Sequence, residues 1–221
     1  MIIPALNEAG AIGGVIEDIR SVIGADIIVV DNGSVDGTGD VARRAGARLI
    51  ECPERGYGKA CLRGIAAAPT ATALVFIDGD GSMPASDIPA LVAPILHGQA
   101  DIVCGARQPA PGTMPAHQAW GNRLSIMLLH QLYGVRLSDL GPFRAVRRQT
   151  LDQLKMRESK FAWPAEMLAR AARRGARITE VPVGYRPRRA GHSKVGGTLR
   201  GSIGAGLGIV GALAWLRVAP L

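Results

Sequence analysis

The chain has 221 residues, 48% of them hydrophobic, and a formal net charge of +8. That length fits one large domain or two small ones, and the apolar content is ample for a core. Three cysteines, Cys52, Cys61 and Cys104, lie without metal-ligand spacing, which reads as reduced thiols in a cytoplasmic protein.

The opening MIIPALNE reads as the end of a strand. No basic segment followed by an apolar one precedes it, so no signal peptide is expected. A helical pattern follows over about 9–23. The runs DIIVVD (26–31), ARLIE (47–51), ALVFID (73–78) and DIVCG (101–105) read as strands. Most are continuously apolar, as in parallel sheets covered on both faces. Helical patterns over about 37–45, 57–68 and 86–97 separate them. Asp36-Gly37-Thr38 and Ser86 to Pro89 supply turn or cap chemistry. Strand and helix alternating in this way predict an α/β domain with a mostly parallel sheet flanked by helices.

The pattern changes after about residue 106. RQPAPGTMPAHQ (107–118) is rich in Pro and polar residues and reads as a loop. A helix over about 119–133 comes next, then SDLGPFRAVRR (138–148). A helix around 162–174 ends at Gly175, and ITEVPVGYR (178–186) alternates as a strand. RPRRAGHSKVGGT (186–198) reads as a mobile basic loop. The tail GSIGAGLGIVGALAWL (201–216) is apolar but short of the ~20 residues of a spanning helix. A packed terminal helix, an in-plane membrane anchor and a Gly-packed transmembrane helix are all compatible with it.

The charge is uneven. Residues 1–142 carry 10 Lys+Arg against 14 Asp+Glu, and residues 143–200 carry 15 against 4. A basic block this concentrated favours an anionic partner: phosphates, lipid head groups or nucleic acid.

Ligands of open parallel sheets bind beyond the carboxyl ends of the strands. Three strand ends here carry polar residues at that edge: Pro4, Asn7 and Glu8; Asp31, Asn32 and Ser34; Asp78 and Asp80. On extended chain Asp78 and Asp80 point the same way, roughly 6–7 Å apart at the backbone. Two carboxylates so close repel unless a cation or proton intervenes. A divalent ion with hard oxygen ligands fits, and so does a plain turn capped by two aspartates. GYGKACLRG (56–64) offers a phosphate-cradling turn, without the spacing of a P-loop.

Taken in order, PALNE (4–8), VVDNGSVDGT (29–38), GYGKA (56–60) and DGDGSMP (78–84) resemble the successive signatures of glycosyltransferase family 2. SDLGPFRAVRR (138–148), EVPVGYRPR (180–188) and GHSKVGGT (191–198) are similar to its dolichyl-phosphate mannose synthase and polyprenyl-phosphate glycosyltransferase branch. The resemblance implies a GT-A type nucleotide-sugar fold. Residues 1–106 would form the nucleotide-sugar half and 107–200 the acceptor side, with 201–221 as an apolar tail. Pro4, Leu6, Glu8, Asp31, Gly58, Lys59 and Asp78 would bind the nucleotide. Asp78 and Asp80 would hold Mg²⁺ or Mn²⁺. Asp80, Asp139 and Arg144 would form the catalytic group near sugar and acceptor, and Arg188, Ser193 and Lys194 would take the acceptor phosphate. Leu6 stands where many relatives have Tyr, Ser82 where some have Gln, and Gly141-Pro142-Phe143 replaces a pair of small residues before Phe-Arg.

The implied reaction is inverting, metal-dependent transfer of a hexose from a GDP- or UDP-sugar to a polyprenyl or dolichyl phosphate. The enzyme would sit on the cytoplasmic face of a membrane. A lipid phosphate is ionised near neutral pH, its second pKa being about 6, so it needs no general base. A hydroxyl acceptor would need one, such as Asp139. The competing readings are a family 2 enzyme with a soluble or hydroxyl acceptor, a non-enzymatic basic module, and a glycosidase. The basic region offers few aromatics (Phe143, Phe161, Trp163, Tyr185) and no RNA-binding signature, so nucleic acid is not an expected partner. Two acids on one strand end flank a glycosidic bond poorly.

Overall fold

The computed structural model describes residues 1–109, 115–191 and 199–218. Strand β1 (Ile2–Ala5) is buried along its length, as are the first three residues of β2 (Ile28–Asp31). Their side chains alternate between two cores. Ile3, Val29, Val75 and Ile77 enter one, and Ile2, Ile28, Val30, Leu74 and Phe76 enter the other. A period-2 backbone with both faces covered needs apolar residues at every position, which is why these segments read as unbroken runs.

With β3 (Arg48–Glu51), β4 (Ala73–Phe76), β5 (Ile102–Pro109), β6 (Arg144–Arg147) and β7 (Ile178–Tyr185), the strands form a seven-stranded sheet ordered β3-β2-β1-β4-β6-β5-β7. All neighbours are parallel except β6, which runs antiparallel to β4 and to β5. The expected fold class is therefore observed. β1 pairs with β2 over four residues but with β4 only at Ile2↔Phe76. Pro4 lies past that single pair, so a residue without an N–H is tolerated in a central strand. The parting of β1 from β4 opens the sheet where the acidic strand ends meet.

Helices α1 (Ala9–Val22), α2 (Thr38–Arg44) and α4 (Ile88–Leu96) cover one face. On the other lie α3 (Tyr57–Ala66), α5 (Ala116–Tyr133), α6 (Arg148–Leu154), α7 (Trp163–Arg173) and α8 (Leu199–Val218). Trp163 anchors this second core, its ring 4.9 Å from Phe76 and 6.3 Å from Tyr57 between centroids.

Two expectations need correction, and one stretch left unassigned gains its elements. The segment 107–118 is not wholly a loop, because β5 runs on to Pro109 in register with Tyr185 of β7. The stretch 138–148 holds β6, and α6 follows it at once. Asp78 and Asp80 follow β4 on a turn rather than on extended chain, with Gly81 at φ 74°.

The tail forms α8 and packs against α5 and α7, burying Leu213 and Leu216. The Tyr133 hydroxyl donates to the carbonyl of Leu213 and Arg173 donates to that of Leu216. Among the described residues no helix is long and apolar enough to cross a membrane. Leu207, Trp215 and Val218 on α8, and Trp120 and Met127 on α5, remain exposed.

Candidate active site

The strand ends converge on a cleft of about 840 Å³. Pro4, Leu6, Glu8, Asp78, Asp80 and Arg188 line it. The turn after β1 is stitched to the β2–α2 connection. Asn7, at φ 52°, donates from its backbone to Ser34 Oγ and accepts from the Val35 N–H, while Glu8 N–H donates to Thr38 Oγ1. These bonds hold the Glu8 carboxyl at the cleft.

Asp80 is buried and its Oδ1 accepts from Ser82 N–H at 2.8 Å. Its Oδ2 accepts from Arg188 Nη1 at 2.6 Å, and Arg188 Nη2 reaches Glu8 Oε1 at 2.5 Å. Asp78 lies on the cleft floor. Burial first, and the Asp80 charge second, raise its pKa to about 7 against the pull of Arg188 and Arg107. The rim thus carries more negative charge than the protein comfortably leaves alone, and a guanidinium rests on it. Among the described residues no three His, Cys, Asp or Glu side chains already converge as a metal centre. Hard carboxylate oxygens in a charge-starved pair nonetheless suit Mg²⁺ or Mn²⁺, whose remaining ligands are typically substrate phosphates and water.

Other expected residues lie elsewhere. Asp31 accepts from Ser34 N–H and lines a separate cavity of about 320 Å³ beside the cleft. In GYGKA it is Gly56, Tyr57 and Ala60 that line the cleft. Gly58 instead faces the 158–159 backbone, where a Cβ would collide with the Glu158 carbonyl. Lys59 donates its backbone N–H to Ser159 O, and its side chain is not among the groups lining the cleft. The 158–159 segment is itself held by Glu166, which accepts from the N–H groups of Arg157 and Glu158 and pairs with Arg170 in the core.

Asp139 is buried behind the cleft wall, and both its oxygens accept from Arg107, Nε at 2.7 Å and Nη2 at 2.8 Å. Arg144 is wholly buried. It donates to the carbonyls of Gly141 and Pro164 and so braces the chain around Gly141 without lining the cleft. Ser193 and Lys194 lie outside the described residues.

Arg107, which lines the cleft and lies 5.3 Å from the Tyr185 ring centre, was missed by sequence reading. Extending the DIVCG strand by two residues puts it at the carboxyl edge of the sheet, the rim that holds Asp78. Asn32, noted in the sequence only as a polar strand-end residue, acts as a tie. Its amide donates to the carbonyls of Cys52 and Glu54 and its oxygen accepts from Gly56 N–H, tying β2 to the glycine turn. The far wall of the cleft comes from α5 (Gly121, Asn122, Ser125) and α8 (Gly206, Ile209), with Phe161 nearby.

A GT-A-like sheet with carboxylates at its split and cationic side chains across the cleft defines a nucleotide-sugar-dependent transferase. The family model for Glycosyl transferase family 2 matches residues 1–155, and the chain belongs to that family. It is 40% identical over 207 residues to the uncharacterized glycosyltransferase Rv0539 of Mycobacterium tuberculosis, covering 92% of each chain. It is 37% identical over 193 residues to a dolichyl-phosphate hexose transferase of Haloferax volcanii (86% of this chain, 82% of the relative). Identity to the undecaprenyl-phosphate mannosyltransferase of Micrococcus luteus is 31% over 216 residues (90% and 88%). Among solved structures, glucosyl-3-phosphoglycerate synthase from Mycobacterium tuberculosis, with Mn²⁺, UDP and glucosyl-3-phosphoglycerate, superposes with a TM-score of 0.80. Identity there is 25%, covering 100% of this chain and 80% of that one. The protein is a glycosyltransferase of a fold that works with Mn²⁺ or Mg²⁺.

Proposed function

We propose that the protein transfers a hexose, with inversion, from a nucleoside-diphosphate sugar to a polyprenyl or dolichyl phosphate. The observation that carries this reading is the state of Asp139. A hydroxyl acceptor needs a base, yet both oxygens of this buried carboxylate are engaged by Arg107. A phosphate acceptor needs none, because it arrives ionised. The named lipid-phosphate transferases among the relatives support the same acceptor class.

In this reading an acceptor phosphate oxygen attacks the anomeric carbon as the bond to the diphosphate breaks on the opposite face. Asp78 and Asp80 would hold the metal, which stabilises charge on the departing diphosphate where that charge develops. Pro4, Leu6 and Glu8 would border the nucleoside, and Arg107 and Arg188 would supply positive charge across the cleft. The apolar tail of the acceptor would leave past Gly121, Gly206 and Ile209, where α5 and α8 form the wall. The exposed apolar residues of α5 and α8 would rest on the cytoplasmic membrane surface.

Incubation with radiolabelled GDP-mannose, UDP-glucose, Mn²⁺ and either polyprenyl phosphate or 3-phosphoglycerate tests the reading. Label is expected in the lipid phase. Label only in phosphoglycerate would replace this proposal with a soluble acceptor, like that of the solved structural neighbour.

A further inference from the structure

We infer that Arg188 is a built-in counter-ion for the carboxylates that would hold the metal and is exchanged for the incoming ion. Its guanidinium bridges Asp80 and Glu8 at 2.6 and 2.5 Å, on the same carboxylate a metal would use. The two carboxylates come from separate strand ends and the arginine from the strap that follows β7, so the bridge joins three distant parts of the chain. Its fit is incomplete: Nε of Arg188 is buried with no hydrogen-bond partner among the described residues. A buried donor left unpaired costs free energy, so the bridge is a compromise rather than a finished ion pair.

The strap is built to lie there. Arg189 N–H donates to Asp80 O and Arg186 N–H to Ser82 O, so its backbone runs across the acidic turn. Arg186 and Arg189 both pair with Asp18 of α1. Three glycines make room. A Cβ at Gly81 would stand 2.7 Å from Arg189 Cδ, one at Gly10 would stand 2.9 Å from Ala190 Cβ, and one at Gly14 would collide with the Arg189 guanidinium. Arg189 and Arg186 therefore dock the strap, whereas Arg188 spends its charge on the carboxylates. Metal and guanidinium cannot both take Asp80 Oδ2, so ion binding must move Arg188 out. The displaced cation then faces the cleft and is available to an acceptor phosphate. That last step rests on the lipid-phosphate reading, whereas the exchange itself does not.

Mn²⁺ titration of nucleotide-free protein, read by the electron paramagnetic resonance of free Mn²⁺, tests the exchange without any acceptor. Its failure is thus separate from a failure of the proposed reaction. Arg188→Gln should bind Mn²⁺ about tenfold more tightly than wild type, because a competing unit charge is gone from beside the ligand. Arg189→Gln, which removes the same charge from the same strap, should leave the affinity within about twofold. Equal or weaker affinity in Arg188→Gln, or an equal gain in Arg189→Gln, would overturn the inference.

Discussion

Two arginines line the cleft, and their pairings differ in kind. Arg107 sits at the end of β5, stacks on Tyr185 and holds both oxygens of one buried aspartate. Arg188 sits on a strap and divides its donors between two acids of separate strand ends, with Nε unpaired. A bidentate fork on a single carboxylate satisfies guanidinium and acid together and locks their geometry. A guanidinium shared by two acids leaves each with spare capacity. The first pair is scaffold, and the second is a stand-in that another cation can replace.

The largest expected effect removes the ligand that both cations would share. Asp80→Ala should lower turnover by at least about 100-fold, as for loss of a group stabilising transition-state charge, with the circular dichroism spectrum unchanged. Activity near wild type, or full turnover with EDTA present, would show that the cleft works without that carboxylate and would dissolve the distinction between the two arginines.

The next effect separates them directly. Arg107→Ala leaves Asp139 buried without its partner, which costs about 3–5 kcal/mol and lowers the melting temperature by roughly 10 °C for a chain of this size. Arg188→Gln, which leaves a neutral amide beside its two acids, should lower the melting temperature by less than Arg107→Ala does. Comparable losses in the two variants would place Arg188 in the scaffold as well.

A substitution with no charge change sharpens the comparison. Gly58→Ala forces a methyl against the Glu158 carbonyl and should cost about 1–3 kcal/mol, measured by denaturant unfolding. Mn²⁺ affinity should not follow that loss, because this wall of the cleft is held by Glu166 and not by the strap.

The smallest effect lies on a third arginine site, far from the chemistry. Side-chain hydrogen bonding from Arg177, with a contribution from Arg147, lowers the pKa of Asp101 from 3.8 to about 2. A carboxylate with a lowered folded pKa stabilises the protein above its unfolded pKa and loses that contribution as pH falls through the folded one. Unfolding measured between about pH 5 and 2 should therefore show a stability loss that is shallower in Asp101→Asn. Identical acid limbs would show that this ion pair adds nothing.

The first half of the molecule was legible because its elements are local. Continuous apolar runs mark strands covered on both faces, and Asp78 and Asp80 advertise a strand end. The acceptor side was not legible in the same way. β6 reads as a mere motif because its four residues take strand form only between β4 and β5. Asp139 looks like a free carboxylate until Arg107, 32 residues away in sequence, is seen to hold it. The three options left open for residues 201–216 narrow once α8 is seen against α5 and α7.

By itself the sequence determined the α/β class, the order of the elements in the first half and the acids at the sheet rim, because hydrophobic period and strand-end chemistry are properties of short segments. Only the tertiary structure decided which cations those acids meet. Pairing energies depend on through-space distance and burial, and Arg188 meets Asp80 across a separation of 108 positions in the chain.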